Sequence, residues 1–191
     1  MNTKRNTCSA ILDEAQDLVQ LLSINCVSFQ ELAKRIGNKK GNTYYHSESK
    51  DDLSAALLER AAQELKTSFD LGKEKSPTKR LSYFFSIYQY MMKQGEKMCP
   101  SGAYVSVWET LAEPVRLQVK NVICTQIDGV QEILEAGLED GEFNNRSQSP
   151  NELALWIVSS LQGTLLTSRV IDNNSPFDCA TKLIVQHLNH R

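Results

Sequence analysis

Residues 28 to 53 decide the fold, and their sequence is SFQELAKRIGNKKGNTYYHSESKDDL. Ser28 followed by Glu31 forms a capping box, in which a serine and a glutamate three residues later satisfy amide groups at the start of a helix. Val27 and Leu32 stand at the positions of the hydrophobic staple that accompanies such a box. Gly37 comes where this helix must stop, because glycine accepts the backbone conformation that ends helices. The stretch therefore predicts a short capped helix followed by a turn.

A second pattern follows this turn. The segment from Lys40 to Tyr45 is short and polar, and Ser49 then precedes two acids, which favour the start of another helix. Apolar residues recur every four positions after it and predict a long helix over about residues 50 to 71: Leu53, Leu57, Ala61, Leu65 and Phe69. A capped helix, a glycine turn, a short polar helix and a third capped helix are typical of a helix-turn-helix. With an amphipathic first helix from about residue 9 to residue 22, residues 1–52 are expected to form a three-helix DNA-binding head.

The rest of the chain continues the helical repeat, with no strict alternation of the kind that predicts a strand. A polar break at residues 73 to 77 marks the expected boundary, and residues 76–191 are expected to form a second, larger helical body. The fold class is therefore predicted to be all-α, with about nine helices.

Composition narrows the function classes. The chain has 191 residues and a formal net charge of −2, so any nucleic-acid site must come from local charge. Residues 28 to 50 carry five basic and two acidic side chains, which makes this stretch locally basic. Neither a signal peptide nor an apolar run long enough for a membrane is present, so we expect a cytoplasmic protein without a membrane partner.

The same sequence gives no support for catalysis, a metal or a cofactor. Five cysteines at irregular spacing form no CxxC pair, as a zinc site or redox couple requires, and they suit a reducing compartment. Phosphate-binding, dinucleotide-binding and nucleophile-elbow motifs do not occur. The chain is therefore expected not to be an enzyme.

Residues 11 to 57 resemble the DNA-binding head of the TetR family of transcriptional regulators. The matching positions are Leu32 to Gly37, Lys40-Gly41, Tyr44-Tyr45-His46, Ser49-Lys50-Asp51 and Leu53, and they align without a gap. The chain departs from the family at Asn38-Lys39 and Thr43. It also has Ser47 where the family usually has an aromatic residue, which removes a core anchor. The additional lysine and threonine mean that the operator preference of relatives does not transfer to this chain.

The resemblance implies a set of DNA contacts. Five side chains would face the major groove, namely Lys39, Lys40, Asn42, Thr43 and Tyr45. Three would contact or orient on phosphates, namely Tyr44, His46 and Lys50. The alternatives are that Tyr44 packs beneath the supporting helix and that the two lysines belong to a solvated turn.

The resemblance also implies an effector site in the body. The candidate lining residues are Tyr88, Met91, Tyr104, Trp108, Gln126 and Trp156, and the alternative is that this aromatic stripe is ordinary core. Cys99 stands where a subset of the family, some of whose members sense electrophiles or oxidants, has a cysteine after the fifth helix. Its alternative is a small buried residue without reactivity. Cys124 is expected in the core.

The C-terminal region resembles the dimer-forming part of the family. Small residues between 159 and 168 would let a partner helix approach closely, and the final helix adds an apolar face. We therefore expect a homodimeric repressor of a pseudo-palindromic operator, released by a small-molecule effector or by thiol modification. The alternative is a helical scaffold that binds DNA without responding to a ligand.

Overall fold

The computed structural model describes residues 2–35, 37, 49–93, 97–144, 147–171 and 173–189, and the regular elements in these ranges are all helical. Eight α-helices occur there: α1 (Asn2–Leu22), α2 (Phe29–Arg35), α3 (Lys50–Gly72), α4 (Pro77–Lys93), α5 (Gly102–Val105), α6 (Glu113–Glu139), α7 (Pro150–Ile171) and α8 (Ser175–Asn189). The all-α prediction is confirmed. The additional short helix predicted near residues 40 to 45 lies outside the described ranges.

Side-chain caps set the starts of several helices. The Ser28 hydroxyl accepts a hydrogen bond from the amide of Glu31 at 3.1 Å, and the Ser49 hydroxyl accepts one from the amide of Asp52 at 3.1 Å. Gly37 has a φ of +65°, a conformation that favours glycine after a helix. The predicted caps and the glycine turn are therefore present.

The segment between residues 102 and 110 is not one continuous helix. It consists of the four-residue α5 and a 3-10 turn, Trp108–Thr110. The carbonyl oxygens of Trp108 and Glu109 accept hydrogen bonds from the Arg116 guanidinium at 3.1 and 3.0 Å. Carbonyl groups at the end of a helix have no amide partner within the helix. Here the Arg116 side chain supplies the donors, so the chain can stop being helical at this point.

The chain forms two compact units, and the first contains residues 1–62 and 100–122. The buried apolar side chains of this unit come from each of its described α-helices, and the largest fully buried ones are Ile11, Leu32, Leu53, Leu58 and Tyr104. Arg60 joins α3 to α1 because its guanidinium contacts the Asp13 carboxylate and the Gln16 amide oxygen, each at 2.6 Å. Besides α1, α2 and the first part of α3, the unit thus contains α5 and the start of α6.

The second unit contains residues 63–99 and 123–191. In this unit α7 packs against α8 and α4, and the core includes Phe84, Ile133, Leu134, Ile157, Leu161 and Ile184. Phe69 stacks on Phe84, which meets Tyr88 edge to face, with ring centroids 5.7 and 5.5 Å apart. None of the helices in the described ranges is both long enough and apolar enough to cross a membrane.

Candidate effector site and DNA-binding head

The structure describes the scaffold of the head on both sides of the predicted recognition segment. Helix α2 buries Phe29, Leu32 and Ala33 in the first unit. Lys50 is exposed at the first position of α3, where a side chain can point away from the helix bundle. The other predicted DNA contacts lie outside the described residues, and these are Lys39, Lys40, Asn42, Thr43, Tyr44, Tyr45 and His46.

A buried polar cluster lies inside the second unit. The Tyr88 hydroxyl donates to the Gln126 amide oxygen in a short hydrogen bond, and Tyr88 is 1% exposed. The Gln162 amide nitrogen donates to the Tyr88 hydroxyl oxygen at 3.0 Å and to the Gln126 oxygen at 3.3 Å. The Gln126 amide nitrogen points to the Cys99 sulfur at 3.7 Å. Helices α4, α6 and α7 therefore each contribute a polar side chain beside one buried thiol.

Burial controls the electrostatics of this cluster. It raises the pKa of the Tyr88 hydroxyl well above its ordinary value, and the nearby Cys99 sulfur raises it further. The hydrogen bond from Gln162 acts in the opposite direction with a smaller effect. Tyr88 is therefore a neutral donor near neutral pH. A polar atom of a small molecule, or new atoms on the sulfur, would have to compete with hydrogen bonds that are already formed.

Known proteins share this architecture. No family model matches the chain. The HTH-type transcriptional repressor DhaR of Mycobacterium sp. (strain GP1) is 27% identical over 143 residues, which are 73% of this chain and 70% of that protein. A TetR transcriptional regulator from Legionella pneumophila is 25% identical, with a TM-score of 0.83, and the match covers 94% of this chain and 95% of the other. The chain is a DNA-binding transcriptional regulator that is similar in sequence and fold to members of the TetR family.

Another TetR-family regulator, from Agrobacterium tumefaciens, shows how completely the fold is shared. Its structure matches with a TM-score of 0.89 at 20% identity, and the match covers 97% of this chain and 99% of that one. The resemblance that the sequence showed in the head is therefore confirmed over nearly the whole chain. Because these relatives are transcriptional regulators, the expectation that the chain is not an enzyme is also confirmed.

In this regulator the structure brings together only some of the predicted effector contacts. Tyr88, Met91 and Gln126 are all buried in the second unit, and Cys99 is only 3% exposed. Tyr104 lies in the first unit, where burial raises the pKa of its hydroxyl to about 12 against a smaller opposite effect of Ser54.

Two predicted tryptophans have different partners. Trp108 is half-buried in the first unit, with the Arg116 guanidinium 5.5 Å and the Lys120 ammonium 5.9 Å from its ring centroid. Trp156 is 39% exposed on α7, and its ring lies 5.2 Å from that of His187. The structure therefore does not bring Trp156 into the Tyr88 cluster.

One expectation about the cysteines was wrong, and one residue was missed. Cys124 is exposed on α6 rather than buried. Residues two positions apart on a helix face nearly opposite sides, and Gln126 is buried. Cys124 therefore points away from the core, and the apolar side of α6 is narrower than its sequence indicates. Gln162 was not among the predicted residues, since a lone glutamine between leucines and small residues gives no local signal for a buried hydrogen-bond partner.

Proposed function

We propose that the chain is a homodimeric repressor that leaves a pseudo-palindromic operator when its buried cluster is disturbed. The cluster consists of Tyr88, Cys99, Gln126 and Gln162, and it carries the proposal because buried polar groups that depend on one another are sensitive to a new polar atom or a new bond. The trigger is either a small molecule that takes over these hydrogen bonds or a modification of the Cys99 thiol. Met91, Tyr104 and Trp108 remain proposed effector contacts.

The position of the cluster along the chain supports this role. Cys99 is directly followed by Pro100, where the chain enters the unit that contains the head, and Gln126 lies one helical turn after Val122, where it leaves that unit. Both residues are therefore connected through short stretches of backbone to the segment that packs with the head. If either residue moves, the backbone can carry the movement to the segment that packs with the head.

The outer face of α7 supports the dimer. Leu155, Ser159, Gly163, Leu166 and Val170 are all exposed and recur every three or four residues, so they form one stripe. A Cβ atom built on Gly163 would meet no atom within 4 Å. Exposed apolar stripes of this kind are typical of protein interfaces, and small residues within them permit close helix packing.

A thiol trigger makes a specific prediction about operator binding. We expect 1,4-benzoquinone to release the wild-type protein from DNA of its own upstream region, because an adduct on Cys99 overfills a packed core. Cys99→Ser should bind the same DNA but lose the response. Cys124→Ser is the matched control, and it should respond like the wild type because this sulfur lies at the surface. The measurement is fluorescence anisotropy of a labelled duplex.

The outcomes separate the proposed triggers. An equal response of Cys99→Ser and the wild type would rule out the thiol trigger at this residue. A ligand-independent scaffold is the second candidate, and the mutual hydrogen bonds of the cluster favour it because they leave Tyr88 and Gln126 satisfied without a ligand. It predicts specific DNA binding that neither the quinone nor a Gln162→Leu substitution changes.

A further inference from the structure

A cavity lies in the second unit, beside the end of α3 and the start of α4. Its volume is about 220 Å³, and the residues that form its walls include Ser68, Phe69, Lys75, Arg80 and Tyr83. We call it the Arg80 cavity. Its lining contains two cationic side chains and no acidic one. None of the four residues of the Tyr88 cluster lines it, so it is a separate place in the fold.

Arg80 is the unusual residue of this cavity. Its Nε atom is shielded from solvent and has no hydrogen-bond acceptor within the part of the chain that the structure describes. Two carboxylates of this unit already have partners: Asp70 contacts the Lys73 ammonium at 2.7 Å, and Glu142 accepts the hydroxyl and amide of Thr78. A desolvated guanidinium nitrogen without an acceptor is unfavourable, and the positive charge of Arg80 is left uncompensated by this atom's surroundings.

The charges on the cavity wall itself favour an anion. Asp70 and, to a smaller extent, Glu132 raise the pKa of the nearby Lys73 ammonium, and Arg80 opposes them with a smaller effect. Lys75 adds a further positive charge to the cavity wall. The cavity is thus a concave surface with an excess of positive charge, which concentrates negatively charged ligands.

The apolar walls and the volume limit the kind of anion. Phe69 and the half-exposed Tyr83 present aromatic surface, and a flat ring packs well against such surface. The planar guanidinium of arginine matches a carboxylate, which it holds through two parallel hydrogen bonds. The cavity is smaller than the roughly 300–1,000 Å³ of pockets for drug-sized ligands, so it suits a compact molecule.

We propose that the Arg80 cavity binds a small aromatic carboxylate. The carboxylate contacts the Arg80 guanidinium, Lys75 supplies a second charge, and the ring lies against Phe69 and Tyr83. This site is additional to the Tyr88 cluster and does not depend on how that cluster responds to its own effector.

Fluorine NMR with 4-fluorobenzoate tests the proposal on the full chain. We expect saturable broadening of the ligand signal with the wild type, and an affinity at least about tenfold lower for Arg80→Gln, which loses the paired charge. Lys79→Gln is the matched control because Lys79 is an exposed cation on the same helix that does not line the cavity. Its affinity should stay within about twofold of the wild type. Arg80→Lys keeps the positive charge but cannot form the paired hydrogen bonds of a guanidinium, so its affinity should lie between those of the wild type and Arg80→Gln.

Three results would overturn the proposal. One is the absence of saturable binding to the wild type, and another is equal binding by the wild type, Arg80→Gln and Arg80→Lys. The third is full displacement of 4-fluorobenzoate by inorganic phosphate at matched ionic strength and equal concentration, which would show a site for simple anions without preference for the aromatic ring. Thermal unfolding of each variant confirms that the proteins compared are folded.

Discussion

Gly129 lies where α6 passes the ring of Phe69, and the backbone at this position leaves no space for a methyl group. A Cβ atom there would be 2.2 Å from Cε2 of Phe69, whose ring is stacked on Phe84 and cannot simply turn away. We therefore expect Gly129→Ala to lower the free energy of unfolding by about 1–3 kcal/mol, despite the better helix propensity of alanine. Urea denaturation followed by circular dichroism measures this change.

The Phe69→Leu variant provides the control for this prediction. Leucine removes the edge of the ring that the new methyl group would meet, so Gly129→Ala should cost less in the Phe69→Leu background than in the wild type. An equal cost in both backgrounds would show that the conflict with Phe69 is not the cause. Such a result would contradict the packing described for α3, α4 and α6.

Individual residues also show where prediction from sequence stops. The resemblance to the TetR family pointed to Tyr88 and Gln126, which do meet, although 38 positions separate them. It did not point to Gln162, because nothing near this residue in the sequence reveals a tyrosine 74 positions away. Trp156 was included because it is aromatic, but an aromatic residue on an amphipathic helix faces the core or the surface according to packing that the sequence does not show.

Among the features of individual helices, the residue at which a helix begins is the one best predicted from the neighbouring sequence. Ser28 and Ser49 were identified from the residues that follow them, because the capping hydrogen bonds join positions only three apart. The same signal is present at Ser149 and Glu152, which exchange hydrogen bonds in a complete box before α7. The division of the segment between α5 and Trp108–Thr110 was missed, since it depends on Arg116 from the next helix.

The start of α4 has a cap that comes from a distant part of the chain. The Glu142 carboxylate accepts hydrogen bonds from the amide and hydroxyl of Thr78 at 3.0 and 2.6 Å, and these hydrogen bonds lower its pKa. A carboxylate with a lowered pKa stabilises the fold above the ordinary glutamate pKa of about 4.3, and this contribution disappears as the pH falls through the lowered value. We expect the wild type to lose more stability on acidification than Glu142→Gln, which cannot titrate.

Thermal unfolding between pH 7 and pH 3 measures this difference. Glu139→Gln is the control, because it removes an exposed carboxylate near the end of α6 that caps no helix. Its pH dependence should follow that of the wild type. If Glu142→Gln followed it as well, the contact with Thr78 would contribute nothing to the fold in solution.

At the scale of the whole molecule, the all-α class and the similarity to the TetR family could be predicted from the sequence. The caps that start the helices of the head are formed by residues close together in the chain, and these helices follow one another in the order typical of that family. The proposed dimer forms through the exposed stripe of α7 that begins at Leu155 and ends at Val170. Some of the small residues between 159 and 168 point inward, since Thr164 and Ser168 are buried within the subunit. The spacing of small residues alone therefore did not define the outer face of the helix, and the exposed leucines do so better.

Titration of the protein with duplex DNA from its own upstream region, with the mass of each complex determined by light scattering, tests the central claim most directly. Leu166→Glu places a charge in the exposed stripe of α7, and Leu117→Glu changes an equally exposed leucine on α6, at 57% and 59% exposure. We predict that the wild type and Leu117→Glu are dimers that bind this DNA more tightly than a scrambled duplex, with affinity that falls as salt rises. Leu166→Glu should be monomeric and bind at least about tenfold more weakly, since one head alone contacts half a site. A wild type without preference for its own DNA, or a monomeric Leu166→Glu that binds as tightly as the wild type, would contradict the account of a dimeric operator-binding repressor.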